Sequence, residues 1–207
     1  MLKKPLASDN DMNSLRSVVV YCASSTQLDP VFTEAAHELG VLIARHHLRL
    51  VNGAGNMGLM AETADTVLAN GGEVIGVIPQ FMVEQHWEHQ GLTELRIVKD
   101  MHERKQTMAS LSDAAIALPG GVGTFEELLE LITWKQLGLY LHPIVILNTD
   151  GYYDPLLEMF QKAIDKHFMR LRHADIWRVA QTPEEAIRLL FETPQWDSSV
   201  RKFAKIE

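Results

Sequence analysis

The sequence contains little cysteine, no long apolar run and no cluster of basic residues. Its one cysteine, Cys22, cannot form a disulfide within the chain, and its place in an apolar run predicts a buried thiol that packs like a small hydrophobic side chain. No apolar stretch reaches the length of a membrane-spanning helix, and the polar N-terminal segment lacks the pattern of a signal peptide. A net charge of −8 without a basic cluster disfavours duplex DNA and anionic membranes as partners. We therefore expect a cytoplasmic protein that binds neither nucleic acid nor a membrane.

The pattern of hydrophobic residues predicts the fold class. With 46% hydrophobic and 22% charged residues, the 207-residue chain has the composition of one globular domain. Short runs rich in valine and isoleucine alternate with segments of helical periodicity, which is typical of β–α–β units. We predict a single-domain α/β fold, a Rossmann-like, doubly wound parallel sheet flanked by helices. The predicted strands are 18–23, 48–52, 73–78, 95–98, 114–118, 143–147 and 176–179, and the predicted helices are 31–46, 58–70, 102–111, 125–137, 153–167 and 183–191.

The ends and one loop stand apart from this pattern. Residues 1–14 and 195–207 are predicted to be disordered tails on a domain of residues 15–194. Residues 79–94 show no clear periodicity, and loops of this length in compact domains tend to be functional or mobile. Ligands of open parallel sheets bind beyond the carboxyl ends of the strands, where glycine-rich turns meet helix N-termini. We therefore look for the site in the segments that follow the strands.

The strongest binding segment is 119–127, with the sequence Pro-Gly-Gly-Val-Gly-Thr-Phe-Glu-Glu. Its glycines let the backbone turn after a strand, and Thr124 is predicted to cap the next helix. Successive N–H groups at a helix N-terminus bind anions. The segment is neither a P-loop nor a dinucleotide fingerprint, so a phosphate monoester is the predicted ligand. The alternative is a tight turn closed by a capping box between Thr124 and Glu127. The phosphate-binding residues would be Gly120, Gly121, Val122, Gly123 and Thr124.

Three charged residues are candidates for catalysis. Glu126, expected at the second helical position, is predicted to face the cleft, whereas Glu127 is predicted to be partly structural. Arg104 shares a helical face with apolar residues, which is unusual because a guanidinium there either reaches out to solvent or points into a cleft. The alternative for Arg104 is a structural ion pair with Glu103 or with a neighbouring helix. Lys105 is predicted to be solvated or at the edge of the phosphate site.

Two further strand ends contribute, and other chemistries are disfavoured. Gly53 and Gly55 lie in a second glycine-spaced turn, and Ser24 follows the first strand, although helix capping explains its hydroxyl equally well. The nine histidines show no zinc-binding spacing, so we expect neither a metal nor another cofactor. The Gly-x-Ser-x-Gly turn of acyl-transfer enzymes is absent.

The motifs together resemble one enzyme family. Pro-Gly-Gly-x-Gly-Thr-x-x-Glu at 119–127, Met-His-x-Arg-Lys at 101–105 and Leu-Ile-Thr-Trp-Lys-Gln-Leu-Gly at 131–138 are similar to those of the LOG family of cytokinin riboside 5'-monophosphate phosphoribohydrolases. The resemblance extends over about residues 18–156. Family members were long labelled lysine decarboxylases, which this small chain does not support, because no lysine stands in a recognisable pyridoxal phosphate setting.

The resemblance implies an activity and a set of residues. The implied reaction is hydrolysis of the N-glycosidic bond of adenine-type nucleoside 5'-monophosphates, cytokinin riboside 5'-monophosphate or AMP, to free base and ribose 5-phosphate. The alternative is a carrier that binds a nucleotide or phosphorylated cofactor without turnover; Glu126 together with Arg104 favours the enzyme. The implied catalytic residues are Arg104, Glu126 and Glu127. The candidate binding residues are Lys105, Thr133 and residues 120–124, with Ser24, Gly53 and Gly55 from the other strand ends and Met101 from the second motif.

The chain departs from the family pattern in places. Ala23 and Ala54 stand where members often have glycine, and His86 stands where plant members have a substrate-contacting glutamate. In the helix predicted at 125–137, Leu131 and Trp134 lie off the main apolar stripe, so a second surface would need cover. We therefore expect a homodimer, which the family resemblance also implies, with larger assemblies left open.

Overall fold

One parallel sheet is formed by β1 (Ser17–Tyr21), β2 (Arg49–Asn52), β3 (Val74–Pro79), β4 (Glu94–Val98), β5 (Ala115–Ala117), β6 (Ile144–Leu147) and β7 (Arg178–Ala180). The strands lie in it in the order β4-β3-β2-β1-β5-β6-β7. The computed structural model describes residues 15–197. β1 pairs with β2 on one side and with β5 on the other, so the winding direction reverses at β1. Such a reversal opens a crevice at the carboxyl ends of the strands.

Helices cover both faces of the sheet. They are α1 (Pro30–Arg45), α2 (Gly58–Ala69), α3 (Gln80–Val83), α4 (Met101–Ser110), α5 (Val122–Gln136), α6 (Asp154–Asp165) and α7 (Pro183–Glu192). Because successive strand residues point to opposite faces, Val18 and Val20 pack with α1, α2 and α7, whereas Val19 and Tyr21 pack with α4, α5 and α6. The two clusters are the cores of a three-layer α/β domain.

The structure confirms the predicted fold class, with small shifts at element ends. Every predicted strand is present, although β7 begins two residues later than predicted, because Ile176 and Trp177 pack into the core ahead of the strand. The predicted loop 79–94 contains the short helix α3.

The start of α5 was predicted three residues too late. Gly121 occupies the N-cap position with an extended backbone, and Phe125 N–H already donates to Gly121 O (3.0 Å). Thr124 is therefore the third residue of the helix and caps nothing, so both the predicted cap and the alternative capping box with Glu127 are wrong. Glu126 is the fifth helical residue instead of the second.

Residues 195–197, at the start of the predicted C-terminal tail, lie within the described part of the chain. Trp196 N–H donates to Leu141 O (2.7 Å), and its ring lies under the Lys135 ammonium group at 5.7 Å. The predicted tail 1–14 and residues 198–207 of the predicted C-terminal tail lie outside the described residues. None of the helices in the described part of the chain is long and apolar enough to cross a bilayer. Within residues 15–197, no group of three histidine, cysteine or acidic side chains is arranged to hold a metal ion.

Candidate active site

A cavity of about 420 Å³ opens at the carboxyl ends of the central strands. Its wall comes from the segments that follow β1, β2, β3, β4 and β5, so the structure brings together residues from distant parts of the sequence. Ten of the predicted site residues line this cavity: Ser24, Gly53, Gly55, Met101, Arg104, Gly121, Gly123, Thr124, Glu126 and Glu127. The cavity wall does not include the remaining predicted residues, which are Lys105, Gly120, Val122 and Thr133.

Arg104 is held at the centre of the cavity by acceptors from three directions. Asp100 caps α4 by accepting hydrogen bonds from two N–H groups of its first turn, which fixes the helix that carries Arg104. The guanidinium donates to Val77 O (3.1 Å), to Gly53 O (3.1 Å) and to Glu127 Oε1 (3.4 Å). Arg104 thus points into a cleft, which was one prediction, and also forms an ion pair with a neighbouring helix, which was the alternative. Its partner is not Glu103.

Gly53 has a packing role that the sequence did not predict. A Cβ atom at this position would lie 1.7 Å from Arg104 Nη2, so glycine is needed for the guanidinium to pass. The predicted second anion-binding turn is not formed here, because Gly55 N–H donates to Met60 Sδ (3.0 Å) and Ala54 N–H donates to Asn52 Oδ1 (2.9 Å).

Glu127 is a buried carboxyl group that titrates near neutrality. Its side chain is only 8% exposed. Burial raises the pKa of Glu127 to about 7, and the nearby Arg104 guanidinium opposes part of that rise. A carboxyl group with such a pKa can both accept and donate a proton at neutral pH, which is what general acid–base catalysis needs.

Lys105 and Glu126 form an ion pair beside this centre. Lys105 Nζ lies 2.5 Å from Glu126 Oε1 and 3.2 Å from Glu130 Oε2. Burial lowers the pKa of Lys105, but its hydrogen bonds and charge interactions with the two carboxylates outweigh burial and raise it. Lys105 is buried, so the prediction of a solvated lysine is wrong. The Glu126 side chain is 53% exposed and reaches the cavity.

The N-terminus of α5 forms the polar end of the cavity. The N–H groups of Val122, Gly123 and Thr124 begin the helix, and such groups have no carbonyl partner within it. Added Cβ atoms at Gly121 and Gly123 would meet nothing within 4 Å, whereas one at Gly120 would lie 2.1 Å from Thr124 Oγ1. Gly120 therefore serves packing, and the other two glycines leave room for a ligand beside the helix dipole.

The opposite end of the cavity is apolar, and its residues were not predicted from the sequence. Met57, Met82 and Trp87 line it, and the last two come from the segment that follows β3. The only sequence signal was the length of that loop. His86 is exposed with a positive φ of 58° and does not line the cavity, although its carbonyl accepts a hydrogen bond from Asn56 Nδ2 (3.2 Å).

Cys22 lies in the cavity wall, whereas Thr133 lies away from the cavity. Cys22 is buried in the cavity wall, as expected, and burial raises the pKa of its thiol, which keeps it protonated and unreactive. Thr133 is exposed two turns along α5 from the cavity, and its hydroxyl donates to Leu129 O (2.8 Å).

Comparison with known proteins gives close relatives. Residues 60–190 match the family model described as "Possible lysine decarboxylase". A probable cytokinin riboside 5'-monophosphate phosphoribohydrolase of Oryza sativa subsp. japonica is 44% identical over 188 residues, which are 90% of this chain and 77% of that protein. The cytokinin riboside 5'-monophosphate phosphoribohydrolase of Rhodococcoides fascians is 46% identical over 155 residues, which are 74% of this chain and 78% of that protein.

The fold is also found among solved structures. The molybdenum cofactor binding protein of Rippkaea orientalis matches 84% of this chain and 94% of its own, with a TM-score of 0.65 and 22% sequence identity. At this identity the likeness concerns the fold alone. The match to the family model and the identity to the two relatives show that this chain belongs to the LOG family of cytokinin riboside 5'-monophosphate phosphoribohydrolases, which its motifs resemble.

Proposed function

We propose that this protein hydrolyses the N-glycosidic bond of adenine-type nucleoside 5'-monophosphates, releasing the free base and ribose 5-phosphate. One observation carries the proposal: the buried Arg104–Glu127 pair lies in the same cavity as the open N-terminus of α5. The helix N-terminus suits a phosphate, and the carboxyl group with a pKa of about 7 suits proton transfer. The names of the relatives agree with this activity.

Each residue of the site has a separate role in the proposed reaction. Phosphate bound at the first turn of α5 anchors the ribose, so that binding energy far from the reacting bond positions the substrate. Cleavage develops positive charge on the ribosyl ring, as in glycosidases, and the Glu126 carboxylate beside the cavity stabilises it. Glu127 removes a proton from the water whose oxygen bonds to C1' as the C1'–N bond breaks. Its carboxyl group then gives this proton to the nitrogen of the departing base, so that the step balances. Arg104 supports the departing base and favours the ionised form of Glu127.

Of the two carboxylates, the geometry favours Glu127 for proton transfer. The sequence alone favoured Glu126, but Glu126 is engaged by Lys105 and half exposed, whereas Glu127 is buried and has the shifted pKa. The assignment is tested by Glu127→Gln and Glu126→Gln. We expect the first to lower turnover by about 10²–10⁴ and the second by less.

We also propose that the protein acts as a homodimer joined through α5. Leu131, which the sequence suggested would need a partner's cover, is buried within the chain. The exposed apolar side chains on this side are instead Leu129, Leu137 and the nearby Leu139, which are 39%, 45% and 62% exposed. Thr133 lies one turn from each of the first two, so its predicted contact with nucleotide would be made in a partner's cavity. Light scattering should give a dimer for the wild type and a monomer for Leu137→Asp. A cytoplasmic location, expected because the sequence shows neither a signal-peptide pattern nor a long apolar run, stays a prediction.

The activity is tested by incubating the protein with AMP, isopentenyladenosine monophosphate and adenosine, followed by chromatography. We expect free base and ribose 5-phosphate from the two monophosphates and no base from adenosine, because adenosine lacks the anchoring phosphate. Binding of both monophosphates without release of base would overturn the hydrolase and favour a carrier.

A further inference from the structure

The segment that follows β3 is fixed to the turn that follows β2. Trp87 O accepts a hydrogen bond from Asn56 N–H (3.1 Å), and His89 N–H donates to Ala54 O (2.8 Å). These bonds flank an antiparallel bridge between Gly55 and Glu88. The segment was expected to be a long irregular loop, but two backbone hydrogen bonds hold it in place beside the cavity.

Trp87 lines the cavity from this fixed segment. It is 48% exposed, and Met57, which lines the same cavity, is 54% exposed. Large apolar side chains are rarely left open together unless a ligand or partner covers them. An indole ring and thioether groups suit a flat, polarisable ligand, because aromatic rings stack on one another and sulfur packs well against them.

The order of the strands places Trp87 at the correct end of the cavity for a base. The anion-binding turn follows β5, and the segment with Trp87 follows β3, three positions away in the sheet. Neighbouring strands lie about 4.8 Å apart, so the two ends are separated by about 14 Å. Arg104 lies between them, because it contacts Val77 on β3 and Glu127 on α5. A nucleotide with its phosphate at α5 and its ribose at Arg104 therefore extends its base towards Trp87.

We propose that Trp87 is a specificity-determining residue whose indole ring forms the wall on which the purine base of the substrate stacks. This inference rests on the proposed function, since it takes a nucleoside monophosphate as the ligand. It also gives a role to this segment in a chain where His86 replaces the acidic residue that the family resemblance led us to expect. Stacking needs no hydrogen-bond partner, so a tryptophan can hold a base where a carboxylate contact is missing.

The test compares Trp87→Leu, Trp87→Phe and, as a matched control, Phe81→Leu. Phe81 is half exposed on α3 in the same segment but does not line the cavity. Affinities for AMP and for ribose 5-phosphate are measured by stopped flow or calorimetry, before turnover. We expect Trp87→Leu to weaken AMP binding about tenfold, in line with the loss of one stacked base, and to leave the affinity for ribose 5-phosphate unchanged. Trp87→Phe should retain most of the affinity, and Phe81→Leu should behave as the wild type.

Tryptophan fluorescence supplies a second readout. The chain has four tryptophans, and stacking of a base on Trp87 should quench its emission. We expect AMP to quench the wild type and Phe81→Leu but not Trp87→Phe, and ribose 5-phosphate to quench none of them.

The outcomes separate this inference from the proposed function. Unchanged AMP affinity in Trp87→Leu, or an equal loss of affinity for ribose 5-phosphate, would overturn the role of Trp87 even if the protein hydrolyses AMP. If the variants show the expected binding pattern but the protein releases no base, the stacking role of Trp87 is supported and the proposed hydrolytic activity is contradicted.

Discussion

The Arg104 guanidinium lies 3.4 Å from the Glu127 carboxylate, and the two side chains are only 7% and 8% exposed. Burial and the adjacent cation act in opposite directions on Glu127, and burial prevails, so the pKa of this carboxyl group rises to about 7. A proton can thus enter or leave the centre of the cavity at neutral pH. The pair also fixes Arg104, which is bound on its other edges by the carbonyl groups of Val77 and Gly53.

The first prediction concerns the pH dependence of activity. If Glu127 acts as the base, kcat/KM for AMP should fall as the pH drops below about 7, because protonation removes the base. Replacing Arg104 by glutamine removes the charge that lowers the pKa of Glu127. The acidic limb of the pH profile, where kcat/KM falls with falling pH, should therefore lie at higher pH in this variant. Arg104→Lys, which keeps the charge, is the matched control. An acidic limb that stays at the same pH in Arg104→Gln would show that another group titrates.

The second prediction concerns stability. The pKa of Glu127 is about 7 in the folded protein, against 4.5 for an unperturbed glutamate side chain. The folded protein therefore retains this proton between pH 4.5 and 7 while the unfolded chain releases it, so the stabilisation is complete below pH 4.5 and is lost as the pH rises to 7. The loss is on the order of 3 kcal/mol.

Glu127→Gln isolates this effect because glutamine does not titrate. Relative to the wild type, the free energy of unfolding of Glu127→Gln should rise by about that amount between pH 4.5 and pH 8, and urea denaturation at several pH values measures it. A difference between the two proteins that stays constant over this range would contradict the shifted pKa.

Much of the fold could be predicted from the sequence, because hydrophobic periodicity reports directly on buried strands and helices. The site was predicted as far as its residues lie in glycine-rich turns or on an otherwise apolar helix face, as Arg104 does. The role of Gly53 could not be predicted, since it depends on a guanidinium that approaches from 51 residues further along the chain. Trp87 was missed for a similar reason: only the pairing of its segment with residues 54–56 brings it to the cavity.

The third prediction separates two roles for Lys105. The family resemblance implies that Lys105 binds nucleotide, whereas its ion pairs with Glu126 and Glu130 make it a positioning residue for a carboxylate. We expect Lys105→Met to lower kcat by roughly 10–100-fold, as when a group that orients another is removed. The affinity for ribose 5-phosphate should be unchanged, because the ammonium group does not reach the cavity. A large loss of that affinity would instead favour direct contact with the phosphate.

The fourth prediction uses two glycines of the same turn. A methyl group at Gly123, the second residue of α5, meets nothing within 4 Å, and alanine is a better helix former than glycine. Gly123→Ala should therefore fold with an unchanged or higher melting temperature. The methyl group would nevertheless occupy space beside the first N–H groups of the helix, so the KM for AMP should rise by about tenfold if one good phosphate contact is lost.

Gly120→Ala is the matched control for this pair. Its Cβ would lie 2.1 Å from Thr124 Oγ1 and 3.0 Å from Ala23 N, so something in the packed turn must move and the melting temperature should fall. Thermal unfolding of both variants, with steady-state kinetics on AMP, distinguishes the two roles. Because adenosine has no phosphate, its weak binding should be the same in Gly123→Ala and in the wild type. An unchanged KM for AMP in a stable Gly123→Ala protein would mean that the phosphate binds away from the N-terminus of α5.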